Sequence, residues 1–393
     1  MRIIKILKKI GKVFLYFIGT IIVLLAILLL VIRVNSSSSG SQNPFKDEAG
    51  NVLPNSIAFQ EDKIINGVPQ RLVIRGADIN NPVLLRVHGG PGSNHYPDFS
   101  KMTGIDLEDI FVVCYWDQRG SGPAYTTDTP DSTITLSQIV DDGITVSTYL
   151  KERFKKDKIY LEGWSWGTTV GAFMAQKRPD LFHAYIGIGQ MGDQLLSEQI
   201  SYDFSLQKAL EANDTASVRK LKAIGRPPYA TNEEMIEAVN VERPISIKYT
   251  PGPQFDNKEE KGEEEKGEEG EEGEMEFYMK FLLNENVSFK MKKEYFFGSE
   301  KEEDNTPGFK LLWPTCTNIN LMRDVPEWQI PVYILQGEHD HSTETLVAKA
   351  YYDSLNAPIK KWYIFEDCMH IPIFQDPQKY RDIMETEVLK KDK

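Results

Sequence analysis

Gly163-Trp164-Ser165-Trp166-Gly167 is the stretch whose reading decides the fold. It follows the apolar run Ile159-Tyr160-Leu161 and leads into Thr168-Thr169-Val170-Gly171-Ala172-Phe173-Met174-Ala175. A strand, a tight turn and a helix in that order would hold a serine at a strand's carboxyl end. Small residues around a serine are common, so five residues alone also fit a Gly-Trp-rich loop. The two readings part on whether a base, an acid and an oxyanion site appear elsewhere in suitable places.

Working outward, the flanks read as alternating strands and helices. Ser56–Ile65 and Gln70–Arg75 flank Asn66-Gly67, a strong hairpin signal. Pro82–Val87 and Phe111–Trp116 are short apolar runs ending in His88-Gly89-Gly90-Pro91-Gly92 and Asp117-Gln118-Arg119-Gly120. Apolar residues between Thr135 and Phe154 recur at a helical period, and the helix after Gly167 stops before Pro179. Ala184–Ile188, Pro331–Gln336 and Lys361–Phe365 read as further strands. Nearly all-apolar strands separated by helices indicate an α/β fold, a mostly parallel sheet covered on both faces. The rhythm breaks from residue 191 to about 325, which is helical in pattern with a Pro-Pro interruption at 227–228. An insertion at that point would sit above the strands' carboxyl ends, as a lid.

A serine hydroxyl needs a base to take its proton, and the base needs an orienting carboxylate. Sheet hydrolases supply them in the chain order Ser, Asp or Glu, His. After Ser165, Asp340 follows the strand ending near Gln336, and His370 lies five residues beyond Phe365. Both fall at the sheet edge toward which Ser165 points. His341 is too close to Asp340 in sequence to face that carboxylate and Ser165 together, and reads as a structural or a rim residue. His183 reads as a surface or hydrogen-bond-satisfied histidine, and His88 as one that orients the Gly-Gly turn. The oxyanion donors expected are the N–H groups of Trp166 and Gly90.

Together, HGGPG (88–92), DQRGSG (117–122), GWSWG (163–167), GEHD (337–340) and HIPIFQDP (370–377) resemble the prolyl aminopeptidase, or proline iminopeptidase, family of α/β-hydrolase-fold serine hydrolases. The resemblance covers about residues 57–190 and 326–385. It implies a triad on Ser165, Asp340 and His370, in agreement with the positional reading. It also implies lid carboxylates that read a free amino terminus, for which Asp193 and Glu198 are the candidates. Trp164, Thr168-Thr169 and Cys368-Met369 depart from the family's usual small residues.

The 393-residue chain is 41% hydrophobic and 26% charged, as expected of a protein with a real core. Its net charge is −13, of which residues 258–276 contribute −8, leaving −5 for the rest. That run reads as a disordered loop, and nothing basic is patterned for nucleic acid. Three scattered cysteines make neither a disulfide framework nor a zinc site. No metal or organic cofactor is expected. Val13–Ile32 carries no charge and is long enough to cross about 30 Å of hydrocarbon. Arg2, Lys5, Lys8, Lys9 and Lys12 precede it, which places everything after residue 34 outside the cytoplasm. Cleavage as a signal peptide, with secretion, is the alternative.

The expected organisation is a single-pass membrane anchor (1–34), a tether (35–55), a first core part (56–190), a helical lid (191–325) with an acidic loop (256–276), and a second core part (326–393). The expected function is a membrane-anchored aminopeptidase releasing an N-terminal residue, proline-like by preference, from small peptides. An esterase or amidase acting on small acyl substrates is the alternative, and a catalytically silent binding module is a third reading. Sequence leaves the oligomeric state open.

Overall fold

The computed structural model describes residues 16, 18–20, 23–34, 36, 44–92, 107–121, 129–251, 279, 282–283 and 307–390. The chain divides into two compact units, residues 1–43 with 266–299, and residues 44–265 with 300–393. In the first, residues 23–34 are helical, and no described helix is long and apolar enough to cross a membrane. The expected span 13–32 lies partly outside the described residues, as does most of the tether before residue 44. The acidic loop 256–276 lies wholly outside them.

In the second unit, among the described residues, eight strands form one sheet: β1 (Ile57–Ile65), β2 (Val68–Gly76), β3 (Val83–Val87), β4 (Val112–Asp117), β5 (Ile159–Trp164), β6 (Phe182–Ile188), β7 (Val332–Gly337) and β8 (Lys360–Phe365). Their spatial order is β1-β2-β4-β3-β5-β6-β7-β8. Strand β2 runs antiparallel to β1 and β4, and the pairs from β4 to β8 are parallel. Ile65 faces Val68 across Asn66-Gly67, both at positive φ, so the hairpin signal was read correctly.

The side-chain period of two divides each strand between two cores. Leu85, Cys114, Leu161 and Ile334 join one core with the helices α1 (Leu136–Arg153) and α2 (Trp166–Lys177). Leu84, Val113, Ile186 and Leu335 join the other with Tyr380 and Ile383 of a C-terminal helix (Pro377–Ile383). Burial on both faces explains the continuous apolar runs; each such side chain contributes about 1.5–3 kcal/mol.

Between β6 and β7 the chain forms α3 (Gln194–Glu211), α4 (Thr215–Ile224), α5 (Asn232–Tyr249) and α6 (Pro307–Cys316). Asp193 and Asp214 cap α3 and α4, while Thr231 and Glu234 form a capping box on α5. A small core of Tyr202, Ala209, Leu221 and Ile245 holds the first three together. The insertion meets the sheet's carboxyl edge at identifiable contacts. The Gly308 N–H donates to the Gly120 carbonyl (3.1 Å), and Arg243 reaches the His341 and Ser342 carbonyls.

Candidate active site

Register aligns the strand ends that matter: Val87 lies opposite Gly163 and Trp116, and Trp164 opposite Ile188. The turn after β5 depends on glycine at both ends. A Cβ on Gly163 would come within 2.4 Å of the Gly167 carbonyl oxygen, and one on Gly167 within 2.1 Å of the Val87 oxygen. No other residue lets α2 start directly on β5 while lying against β3. Between them Ser165 sits at φ 51°, ψ −119°, a left-handed conformation costing a non-glycine residue about 1–3 kcal/mol. Surrounding bonds hold it there: Ser165 N–H donates to Ile188 O (2.9 Å), and Thr168 donates its N–H (2.8 Å) and hydroxyl (2.6 Å) to Ser165 O.

The bulky and polar side chains around the turn have partners of their own. The Trp164 indole donates to Glu162 (2.8 Å) and lies beneath the Arg86 guanidinium. Trp166 donates to Gln118 (3.2 Å), and the Thr168 hydroxyl accepts from Met191 N–H (3.0 Å). Met369 N–H donates to Gln375 (2.6 Å) on the approach to His370.

Asp340 is buried after β7 and accepts five hydrogen bonds. Ser342 and Thr343 N–H donate to Oδ1 (2.8 and 2.9 Å), while Gln336 (2.7 Å), the Thr343 hydroxyl (2.7 Å) and His370 Nδ1 (2.9 Å) address Oδ2. Burial opposes ionisation, yet the His370 ring and the Thr343 donors hold the carboxyl below the ordinary aspartate value. An ionised Asp340 makes Nδ1 the donor, which leaves Nε2 to act as a base. The ring packs on Gly189, where a Cβ would lie 3.1 Å from Nδ1 and Cε1. Gly189 follows Ile188, the partner of the Ser165 N–H, so histidine and serine share one strand end. Among the described residues no hydrogen bond joins the Ser165 hydroxyl to His370; such contacts often tighten only when substrate binds.

The loop after β3 lies against the elbow. A Cβ on Gly89 would be 3.2 Å from both Ser165 Cβ and Trp164 O, and Gly90 adopts φ 107°. Trp166 opens α2, where N–H groups have no partner within the helix. The loop therefore touches the elbow at Gly89, next to one expected donor, while the other follows the serine in the chain. His88 fixes the loop from beneath: its Nε2 accepts from Gln118 N–H (3.1 Å), its Nδ1 donates to Gly89 O (2.8 Å), and Gln118 donates to His88 O (2.9 Å).

Burial lowers the His88 pKa to about 4, although its bond to Gly89 pulls the other way. An unfolded histidine takes its proton near pH 6.5, so between there and pH 4 the unfolded chain binds more protons than the folded one. Stability should therefore fall on acidification across that window, by roughly 3 kcal/mol, and this term should be flat above it. Urea midpoints against pH check this. The slope should shrink in His88→Gln, and an unchanged slope would refute the assignment.

Of the two substrate-reading candidates, Asp193 is occupied structurally: it caps α3 through Leu196 N–H (3.1 Å) and accepts from Asn320 (2.7 Å). Glu198 is buried, accepts from Gln194 (2.6 Å) and pairs with Arg243, which also pairs with Glu242 (3.0 Å). Burial and the nearby Glu242 push the Glu198 carboxyl up, and Arg243 pulls it only partly back. Glu198 and Glu242 line a cavity with Tyr202, Pro228, Tyr229 and Trp313. Sequence reading missed Glu242 and Arg243, since two charged neighbours on a helix ordinarily mark a solvated face. The internal Pro244 gave no hint that they turn inward. His341 stacks on Phe204 (centroids 3.8 Å apart), and its Nδ1 lies 2.9 Å from Glu344 Oε1. Glu338, His339 and Asp367 each bring a potential ligand atom within 4.8 Å of the others, exposed or half-exposed, as surface groups commonly do.

Residues 82–224 match the family model described as alpha/beta hydrolase fold. The chain is 28% identical over 330 residues to a probable aminopeptidase of Bacillus subtilis, covering 84% of this chain and 96% of that protein. It is 23% identical to a proline iminopeptidase of Lactobacillus delbrueckii subsp. bulgaricus, covering 81% and 94%. A proline iminopeptidase-related protein from Thermus thermophilus superposes with a TM-score of 0.54 at 18% identity, covering 83% and 95%. A proline iminopeptidase from Mycobacterium smegmatis does so with 0.53 at 16%, covering 83% and 96%. At such identities the solved structures speak for the fold, while the sequence relatives speak for hydrolysis of a peptidase-like kind. The chain has the α/β-hydrolase fold and is a peptidase-like hydrolase that resembles the proline iminopeptidase family.

Proposed function

We propose that the chain is a membrane-anchored aminopeptidase, releasing the N-terminal residue, with a proline-like preference, from small peptides. The observation that carries this reading is the Asp340–His370 pair packed on Gly189, one residue beyond the carbonyl that holds Ser165. His370 Nε2 takes the Ser165 proton as Oγ attacks the scissile carbonyl carbon. Asp340 stabilises the imidazolium, and the Gly90 and Trp166 N–H groups receive the oxyanion. The imidazolium then protonates the departing amine, and water, activated by the same ring, hydrolyses the acyl-enzyme.

Recognition of the amino terminus is assigned to the Glu198 pocket. Two carboxylates facing one guanidinium leave the cluster one positive charge short, which a protonated amine supplies. Helices α3–α6 act as the lid that limits substrate size. The anchor is residues 13–32, with the catalytic unit outside the cytoplasm; the supporting observations are the uncharged run and the preceding basic residues.

Hydrolysis of proline p-nitroanilide by the full-length chain in detergent, beside its N-acetyl form and p-nitrophenyl acetate, tests the reading. Turnover of the free-amine anilide with at least about tenfold discrimination against the acetylated form is expected, as for removal of one charge-assisted contact. Turnover of the acetate alone would leave an esterase and sink the peptidase assignment.

A further inference from the structure

The two peptide units that hold Asp340 are themselves held from the helical insertion. In the unit joining His341 to Ser342, the N–H donates to Asp340 Oδ1 (2.8 Å), and the carbonyl accepts from Arg243 Nη1 (3.4 Å). In the next unit, Thr343 N–H donates to the same Oδ1 (2.9 Å). Its carbonyl, that of Ser342, accepts from Gln194 Nε2 (3.2 Å) and Arg243 Nη2 (3.4 Å). A donor at a peptide's oxygen polarises its N–H and fixes its plane, so each bond strengthens the next. Gln194 Nε2 and Arg243 Nη2 also both meet Glu198 Oε1. The stacking of Phe204 on His341 closes the same junction from α3. Gln194 carries one more mark: its Oε1 is buried without a hydrogen-bond partner.

We infer that Gln194 and Arg243 are positioning residues through which Glu198, in the insertion, sets the two peptide units that orient Asp340 and hence His370. The inference rests on the proposed roles of Asp340 and His370 and deepens them. A protonated amine arriving at Glu198 competes for the oxygen that Gln194 and Arg243 share, so the binding group and the acid loop respond together. Amine-bearing substrates then differ from neutral esters in kcat as well as in KM.

The test uses the full-length chain and p-nitrophenyl acetate, which carries no amine and so does not bind through Glu198. Active sites are counted by fluorophosphonate labelling. Gln194→Met keeps the side chain's length and removes both its donor and its orphaned acceptor; Arg243→Lys keeps the charge but cannot span both carbonyls. Each is expected to lower kcat per labelled site by about 10- to 100-fold, the usual result of a small misplacement at a reacting centre. KM for the acetate should stay within about twofold, and Gln194→Met should add little to the loss caused by Asp340→Asn. If Asp340→Asn abolishes turnover while both variants keep wild-type kcat per site, the positioning role is overturned and the Asp340 assignment stands. Turnover that survives Asp340→Asn overturns both. Because the variants differ in charge and location, failure of one to fold leaves the other to decide.

Discussion

Replacing Ser165 with alanine is expected to lower kcat on proline p-nitroanilide by about 10⁶-fold, the size of loss seen when a nucleophile acting with its base is removed. The substitution is structurally mild. Every bond described at residue 165 uses its backbone, whose N–H goes to Ile188 and whose carbonyl accepts from Thr168. Alanine at φ 51° carries the same strain as serine. The thermal midpoint should therefore hold while fluorophosphonate labelling disappears. His370→Ala should cost nearly as much alone, and the double variant scarcely more than either, because the two groups serve one step. Residual turnover above about a hundredth of wild type in Ser165→Ala would sink the nucleophile assignment, since that is only about 2.7 kcal/mol of transition-state stabilisation.

Residues with local signatures were legible in the chain; residues defined by long-range convergence were not. The glycines at 163 and 167 announce a turn because no side chain fits there. Asp340 and His370 follow apolar runs whose lengths mark strand ends, and the hydrogen bond between them spans elements adjacent in the sheet. Helix α1 fell within the expected bounds, with Thr135 accepting from Gln138 N–H as its cap. By contrast, Arg243 and Gln194 meet only because α5 packs on α3 above the Asp340 loop, and no spacing in sequence encodes that meeting. Asp193 looked suited to reading an amine because it begins the insertion; the same position makes it a helix cap.

Asp142 shows a signal that was present but unread. It shares the apolar stripe of α1 with Ile139, Val146 and Leu150, and is fully buried. Adjacent to Asp141, it looks like half of a solvated pair. Three residues after Ile139 and four before Val146, it must face the core.

Removing that carboxylate is expected to cost a large part of the stability. Asp142 accepts from Arg119 Nε (2.8 Å) and Nη2 (3.1 Å), Gln70 (2.6 Å), Asn66 (2.8 Å) and Gln138 (3.0 Å). Among the described residues, Asp142→Ala leaves the Arg119 guanidinium buried with only the Thr133 hydroxyl (3.0 Å) and the Asn66 carbonyl (3.2 Å). Breaking a buried pair from one side costs about 3–5 kcal/mol, because the remaining charge stays out of water. The exposed pair Arg226–Asp203, two-pronged as it is, should yield no more than about 1 kcal/mol when cut. Arg119 follows Gln118, which grips both His88 and Trp166, so the damage should reach the oxyanion loop and lower kcat in the fraction that folds. Adding Arg119→Leu to Asp142→Ala removes the stranded charge and should recover part of the stability. Urea unfolding of the four proteins in that cycle decides it. A cost below about 1 kcal/mol for Asp142→Ala, or a double variant less stable than the single, would show that the carboxylate is not the hub on which the first hairpin, the loop after β4 and α1 converge.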